Sequence, residues 1–346
     1  MKNVDYIIVG SGLAGIHFCE QLQANNKTFM VFDNQSQHSS VVAAGLYNPV
    51  VLKRFTSVWK SKEQLQLALP IYNKLEKDLN ITLDYKTPVY RRFSSVEEQN
   101  DWFTASDKTA LSEYLSIEII KNNNSAIDAN FGFGKVLETG RIDTKLLIES
   151  YKKQLLERNQ LVEEDFNYED LIVKKELQYK DITARHIVFA EGFGVKKNPF
   201  FKDIPLKEVK GELLTIHAPD LKMDYILKSS VFLIPIGNDL YTIGATYNWN
   251  DKTNNITAKG KEELLKKLKT FLKCDFKVVS QVAGIRPTVT DRRPLVGKHE
   301  IHKNMYVLNG LGTRGVMIAP YVAKQLYHFI ESNKDLETEI DISRFK

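Results

Sequence analysis

The residues with the clearest chemistry stand near the start of the chain. Gly10-Ser11-Gly12-Leu13-Ala14-Gly15 is a GxGxxG turn that follows the apolar run of residues 4–9 directly. At a strand-to-helix junction such a turn binds a pyrophosphate. The first glycine permits the tight turn, the second lets phosphates approach the backbone, and the third lets helix and strand pack closely. Unpaired N–H groups at the start of the following helix face the phosphates. Ala14, Phe18 and Leu22 recur at helical spacing, residues 27–32 read as a second strand, and Asp33 closes it. An acid about 20 residues beyond the glycines is where a ribose hydroxyl is held. This sequence of elements predicts a dinucleotide site for NAD or FAD; a carboxylate would repel the ribose phosphate of NADP.

A second glycine-rich turn lies near the other end. Residues 305–308 read as a strand feeding Asn309-Gly310-Leu311-Gly312-Thr313-Arg314-Gly315, and a helix follows through Ala319, Ala323, Leu326, Tyr327 and Ile330. One phosphate-type turn at each end suggests two contacts with one extended ligand. In residues 43–49, small residues precede Gly45 and Pro49, either to approach something flat or to pack as a tight loop under the sheet.

The elements that position these turns follow from pattern. Residues 53–130 read as amphipathic helices with scattered aromatics and a short strand near 88–92. Asp143 is placed to cap a helix carrying Leu147, Tyr151 and Leu155 on one face, and residues 182–190 form a buried strand. Residues 207–245 alternate as strands around a turn at Gly237-Asn238, which predicts an antiparallel sheet. The 346 residues suggest two domains, and 43% hydrophobic with 26% charged residues is ordinary globular composition. A net charge of +5 permits an anionic partner, RNA included, without arguing for one. Lysines between 259 and 277 accompany Leu264, Leu265, Leu268, Phe271 and Leu272, the pattern of a helix with a solvated face. Cys19 and Cys274 make neither a disulfide framework nor a metal spacing, so no metal is expected. No apolar stretch approaches membrane-span length, and the N-terminal apolar run is short and lacks a cleavage site, so a cytoplasmic protein is expected.

In order along the chain, GSGLAG at 10–15, AAGLYNP at 43–49, GRID at 140–143, HIVFAEG at 186–192, PIGNDLYTIGAT at 235–246, AGIRPTVTDRRPLVG at 283–297 and GLGTRGVMIAP at 310–320 resemble the D-amino acid oxidase superfamily of FAD-dependent oxidoreductases, which includes glycine oxidase and sarcosine oxidase. The closing stretches look most like the oxidase half of the bifunctional enzyme that makes 5-methylaminomethyl-2-thiouridine in tRNA, although the chain has no room for that enzyme's methyltransferase half.

The resemblance implies an α/β fold. A discontinuous Rossmann-like FAD-binding domain would comprise 1–52, 131–204 and 284–346, and an α+β substrate-binding domain with an antiparallel sheet would comprise 53–130 and 205–283. FAD would lie extended, its ADP end against Gly10, Gly12, Leu13, Ala14, Gly15, Asp33 and Asn34. Its isoalloxazine would lie between Ala43, Ala44 and Gly45 on one side and Gly310, Gly312, Thr313, Arg314, Gly315 and Val316 on the other, with Gly192 also at the cofactor. Relatives more often carry Glu where this chain has Asp33. Sarcosine oxidase tethers its flavin through a cysteine where this chain has Gly284, and histidyl-linked relatives carry histidine where it has Val42, so FAD is expected to be non-covalent. Ile236 stands where many relatives have arginine.

The implied chemistry removes hydride from the carbon beside an amine and gives an imine that water hydrolyses, with oxygen as acceptor. Negative charge on the flavin pyrimidine would be held by the amides of residues 312–315. Arg286 would hold a substrate carboxylate, as the arginine of the matching G-x-R-P does in the glycine oxidase branch; a guanidinium fork suits that group. The alternative is an arginine that braces the loop or pairs with Asp291. Arg314, Tyr47 and Tyr241 are weaker candidates, and Lys53 and Arg54 would suit an anionic substrate. Three functions follow: an amine or amino-acid oxidase acting on glycine, an N-alkyl glycine or a D-amino acid; an oxidase removing a carboxymethyl group from a tRNA wobble uridine; or a silent flavin-binding module.

Overall fold

A computed structural model describes residues 2–345. β1 (Lys2–Val9) is apolar on both faces because both are covered. Tyr6 and Ile8 turn toward the helices α1 (Leu13–Ala24) and α6 (Gly315–Ser332), while Ile7 and Val9 join a second cluster with Phe166, Phe189 and Leu206. β1 pairs in parallel with β2 (Phe29–Phe32) and with β9 (Ile182–Phe189). β6 (Leu161–Val162) extends the sheet beyond β2, and β8 (Leu177–Tyr179) with β7 (Leu171–Val173) adds an antiparallel edge. The C-terminal half of β9 also pairs in parallel with β16 (Met305–Asn309), and β15 (Leu295–Lys298) returns along β16. This mixed eight-stranded sheet is the Rossmann-like part.

The second eight-stranded sheet has the order β14 (Lys277–Val289), β10 (Leu206–His217), β13 (Leu240–Gly244), β12 (Phe232–Gly237), β11 (Ile226–Lys228), β3 (Val89–Arg92), β5 (Phe133–Val136) and β4 (Leu115–Ile120). All its pairings are antiparallel except β11 with β3. The β12–β13 turn is centred on Asn238 and Asp239, both left-handed (φ 51° and 55°), as a two-residue hairpin demands. That is one residue later than the Gly237-Asn238 signal. One face of the sheet carries Leu214, Ile216, Leu233 and Ile243 and packs on α5 (Ala258–Leu268). The lysine-rich helix is thus shorter than the sequence pattern, and Phe271 and Leu272 are buried beyond its end.

The stretch 53–130 divides between the two parts. β3, β4 and α3 (Val96–Ser106) go with the second sheet. α2 (Ser61–Leu79) instead buries Leu65, Ala68, Tyr72 and Leu75 in the cluster of α1 and α6. The Tyr72 hydroxyl donates to the Val316 carbonyl at 2.8 Å, so α2 braces the start of α6. α4 (Thr144–Glu157) joins the same cluster, capped by Asp143, whose side chain accepts from the Leu146 amide at 3.1 Å. Among the described residues no helix is long and apolar enough to cross a membrane.

The glycines of the first turn are required by contact as well as by conformation. Gly10 has φ 99°, and a Cβ there would meet the Ala190 carbonyl oxygen at 2.5 Å; a Cβ on Gly15 would stand 2.0 Å from the Gly10 carbonyl oxygen. Both obstacles are backbone and cannot swing away. Gly15→Ala is therefore expected to cost about 1–3 kcal/mol, read as a lower urea midpoint of the FAD-free protein.

Candidate active site

A cavity of about 1410 Å³ runs between the two sheets. One end is built by the C-terminal edge of the parallel strands. β1 ends at Gly10, β9 at the Glu191-Gly192 pair and β16 at Gly310, and all three line the cavity. Asn309 links two of these turns, since its side-chain amide donates to the Gly192 carbonyl at 2.8 Å and its side-chain oxygen accepts from the Gly310 amide. The Gly312 amide donates to the Pro287 carbonyl at 3.0 Å, which holds the second glycine turn against the end of β14.

Every residue expected at the cofactor lines this cavity except Gly15, which lies behind the turn as its packing glycine. The residues fit a dinucleotide. Neither α1 nor α6 is capped by the side chain of its own cap residue, and neither has an acid in its first turn. Both helix starts therefore present partial positive charge to the cavity. One of these amides, on Leu13, is bonded to the Ser40 hydroxyl at 3.2 Å. Asp33 is more heavily engaged than the sequence suggests: one oxygen accepts from the Ser11 amide (2.6 Å) and hydroxyl (2.5 Å), the other from the Gln35 amide (2.6 Å) and Lys152 (3.4 Å). Burial pushes its pKa up, but Lys152 and the bonds from Ser11 outweigh this and keep it below the usual range. A ribose hydroxyl would take the place of one of these partners. Lys152 belongs to the site through α4, a contact that helical periodicity alone does not reveal.

The other end of the cavity has the second sheet as its floor. Gly211, Leu213, Gly244 and Phe232 face it, and Arg286 reaches over it from β14. The Arg286 guanidinium lies where a Cβ of Gly211 would be, 1.9 Å away, so the missing side chain makes its berth. It donates to the Thr246 carbonyl at 3.3 Å and stacks 4.8 Å from the Tyr247 ring. Burial lowers its pKa, and among the described residues no carboxylate pairs with it; Asp291 instead pairs with Arg344 at 2.9 Å. Arg314 lines the cavity too and donates to the Asn48 carbonyl at 2.7 Å. Burial, together with nearby Arg292, pushes its pKa down to about 10.

Among the described residues the acids of the cavity wall are confined to one end, whereas cations, Lys152 beside Asp33 included, line its whole length. The acids that line it, Asp33, Glu164, Asp165 and Glu191, belong to the dinucleotide end. Lys53, Arg54, Lys228, Arg286, Arg292 and Arg314 line the other end, where Tyr247 and Trp249 are exposed at the mouth.

Two expectations need correction. Tyr241 is not at the cavity: strand alternation sends it with Ile243 to the α5 side, 3% exposed, where its hydroxyl accepts from the Met223 amide at 3.2 Å. Tyr47 is buried and donates to Asp84 at 2.7 Å, a brace rather than a wall.

Glu191 belongs to the HIVFAEG stretch at the end of β9. It is buried at the dinucleotide end, where Tyr168 and Asn198 donate to it, and burial raises its pKa from 4.5 to about 7. A carboxyl with a raised folded pKa holds its proton more tightly when folded. Its favourable contribution is complete below pH 4.5 and is lost as pH rises to about 7. The FAD-free protein is expected to lose stability between pH 5 and 8, and Glu191→Gln to flatten that loss by up to about 3 kcal/mol, measured by urea denaturation at both pH values.

The family described as FAD dependent oxidoreductase (DAO) matches residues 5–328. The glycine oxidase of Bacillus subtilis (strain 168) is 22% identical over 341 residues, covering 92% of this chain and 90% of that protein. The tRNA 5-methylaminomethyl-2-thiouridine biosynthesis bifunctional protein of Idiomarina loihiensis is 26% identical over 154 residues, which is 41% of this chain and 25% of that one. Among solved structures, glycine oxidase from Geobacillus kaustophilus superposes with a TM-score of 0.79 at 18% identity, covering 100% of this chain and 98% of its own.

Proposed function

The chain belongs to the FAD dependent oxidoreductase (DAO) family and is a glycine oxidase-like enzyme with FAD as cofactor, and we propose that it oxidises the carbon–nitrogen bond of glycine, an N-alkyl glycine or a D-amino acid. The observation that carries this reading is Arg286, a part-buried cation on the cavity wall with no carboxylate partner among the described residues. A single bond to the Thr246 carbonyl leaves most of its five donors for a substrate carboxylate. FAD, when bound, accepts the hydride from the carbon beside the amine, and oxygen serves as final acceptor.

Arg286 anchors the carboxylate and thereby fixes which carbon faces the cofactor. No histidine lines the cavity among the described residues, and its acids belong to the other end. The amine therefore enters as the free base and needs no side chain to take its proton. The amides at the start of α6 stabilise negative charge at the cofactor end nearest the substrate.

The cationic lining and the exposed Tyr247 and Trp249 also favour a second substrate, a tRNA wobble uridine bearing a carboxymethylamino group. It too offers a secondary amine and a carboxylate to Arg286. Anaerobic bleaching of the flavin bands by glycine, sarcosine, D-alanine or D-proline supports the small-substrate reading, whereas bleaching by the modified tRNA alone replaces it.

Arg286 is tested in two ways. Arg286→Lys keeps the charge and loses the fork, so kcat/KM for the bleaching substrate is expected to fall about 100-fold, roughly 3 kcal/mol. Gly211→Ala keeps the arginine but fills its berth, so KM is expected to rise about tenfold with the flavin spectrum unchanged. Unaltered kinetics in both variants would remove Arg286 from the site.

A further inference from the structure

Lys228 is a cation with no acidic partner among the described residues. It ends β11 and lines the cavity at the opposite edge of the floor from Arg286. Its ammonium lies 4.7 Å from the Phe232 ring, the only partner it has among the described residues. The charged groups around it are Arg91, Lys267 and Lys53, all cations. Arg91 is neutralised by Glu98 at 2.5 Å and Lys267 by Glu263 at 2.6 Å. Lys228 and Lys53 have no acid among the described residues. Burial, with these like charges, brings the Lys228 pKa down to about 8. A stack on one phenyl ring offsets only about 1 kcal/mol of such a cost.

The geometry relates this cation to the first. Arg286 leans one strand inward, over Gly211 on β10, and Lys228 leans one strand inward, over Phe232 on β12. Gly244 of β13 lies between, paired with Leu213 on one side and Phe232 on the other. By strand alternation all these residues share the cavity face. Two strand steps of ~4.8 Å and an offset of two residues of ~3.3 Å separate the two charged heads by roughly 12 Å. Between the two heads the Leu213 side chain covers Gly244, its Cδ2 2.0 Å from where a Cβ would stand, and gives the floor an apolar surface there.

We propose that Lys228 is a second anion subsite and that the substrate is an amino acid with two carboxylates, one on Arg286 and the other on Lys228 with Lys53 at the rim. This rests on the amino-acid reading above and narrows it. Charge-assisted contacts at both ends leave roughly 5 Å between the carboxyl carbons, the span of a chain of four to six carbons. A substrate with one carboxylate leaves the second cation unpaired and gains nothing from it.

Unreactive carboxylates test this without turnover. The FAD-loaded protein is titrated with acetate, malonate, succinate, glutarate, adipate and suberate, reading displacement of the visible flavin bands. The expected result is an optimum among succinate, glutarate and adipate, at least tenfold tighter than acetate. Lys228→Met, which keeps an apolar stem against Phe232, is expected to erase that ratio, and Lys228→Arg to retain it. Dicarboxylates that bind no tighter than acetate at any length overturn the subsite and leave the amino-acid reading standing. So does a Lys228→Met variant that weakens acetate and glutarate by the same factor. If neither acetate nor any dicarboxylate shifts the bands, both readings fall together.

Discussion

The structure depends on the parallel pairing of β1 with β9 and of β9 with β16. Parallel strands bring their C-terminal ends to one edge, and each of these three ends in a glycine-containing turn. The turns at residues 10–15 and 310–315, three hundred positions apart, therefore open on the same cavity, and Asn309 ties the third, at Gly192, to the last. The helices leaving the outer two begin at that edge, so their uncapped amides converge on it. An extended anionic cofactor is thus met by backbone at two points, with α2 bracing the second through Tyr72 and Val316.

The second sheet supplies what backbone cannot, a set of fixed side-chain charges. Its α5 face is a conventional apolar core, and across its cavity face lie two long cations, Arg286 from the edge strand β14 over Gly211 and Lys228 from β11 over Phe232. Holding Arg286 and Lys228 there, and Arg314 at the start of α6, with no carboxylate partner among the described residues is unfavourable for the isolated protein, and all three pKa values are lowered accordingly. Internal acids would relieve that cost and would also occupy the groups that bind substrate. The segregation of Asp33 and Glu191 to the dinucleotide end keeps them apart.

Motifs made of backbone requirements were legible in the sequence because glycine is demanded by contact rather than by preference. Gly10 and Gly15 are examples, each facing a carbonyl that no side chain could clear. Asp143 as a helix cap and Tyr151 on the buried face of α4 were legible for the same local reason. The place of Tyr241 is also a local matter: in Leu240–Gly244 the alternation puts residues 241 and 243 on the face opposite Gly244, away from the cavity. α2 was assigned by position along the chain, but its partner is α6, and a stripe of Leu65, Ala68, Tyr72 and Leu75 says that a helix is buried without saying against what.

The sequence by itself determined the two glycine turns, the strands that feed them and the helices that leave them, because these are set by residues within one turn of each other. It also supplied Arg286 as a candidate, through the pattern around it. Only the tertiary structure decided which charges meet. Lys152 reaches Asp33 across 119 positions, Thr246 and Gly211 make the berth of Arg286 from two other strands, and Lys228 stands opposite it across the floor. Such pairings follow from sheet order and register, which long-range packing selects, and no local spacing in the chain encodes them.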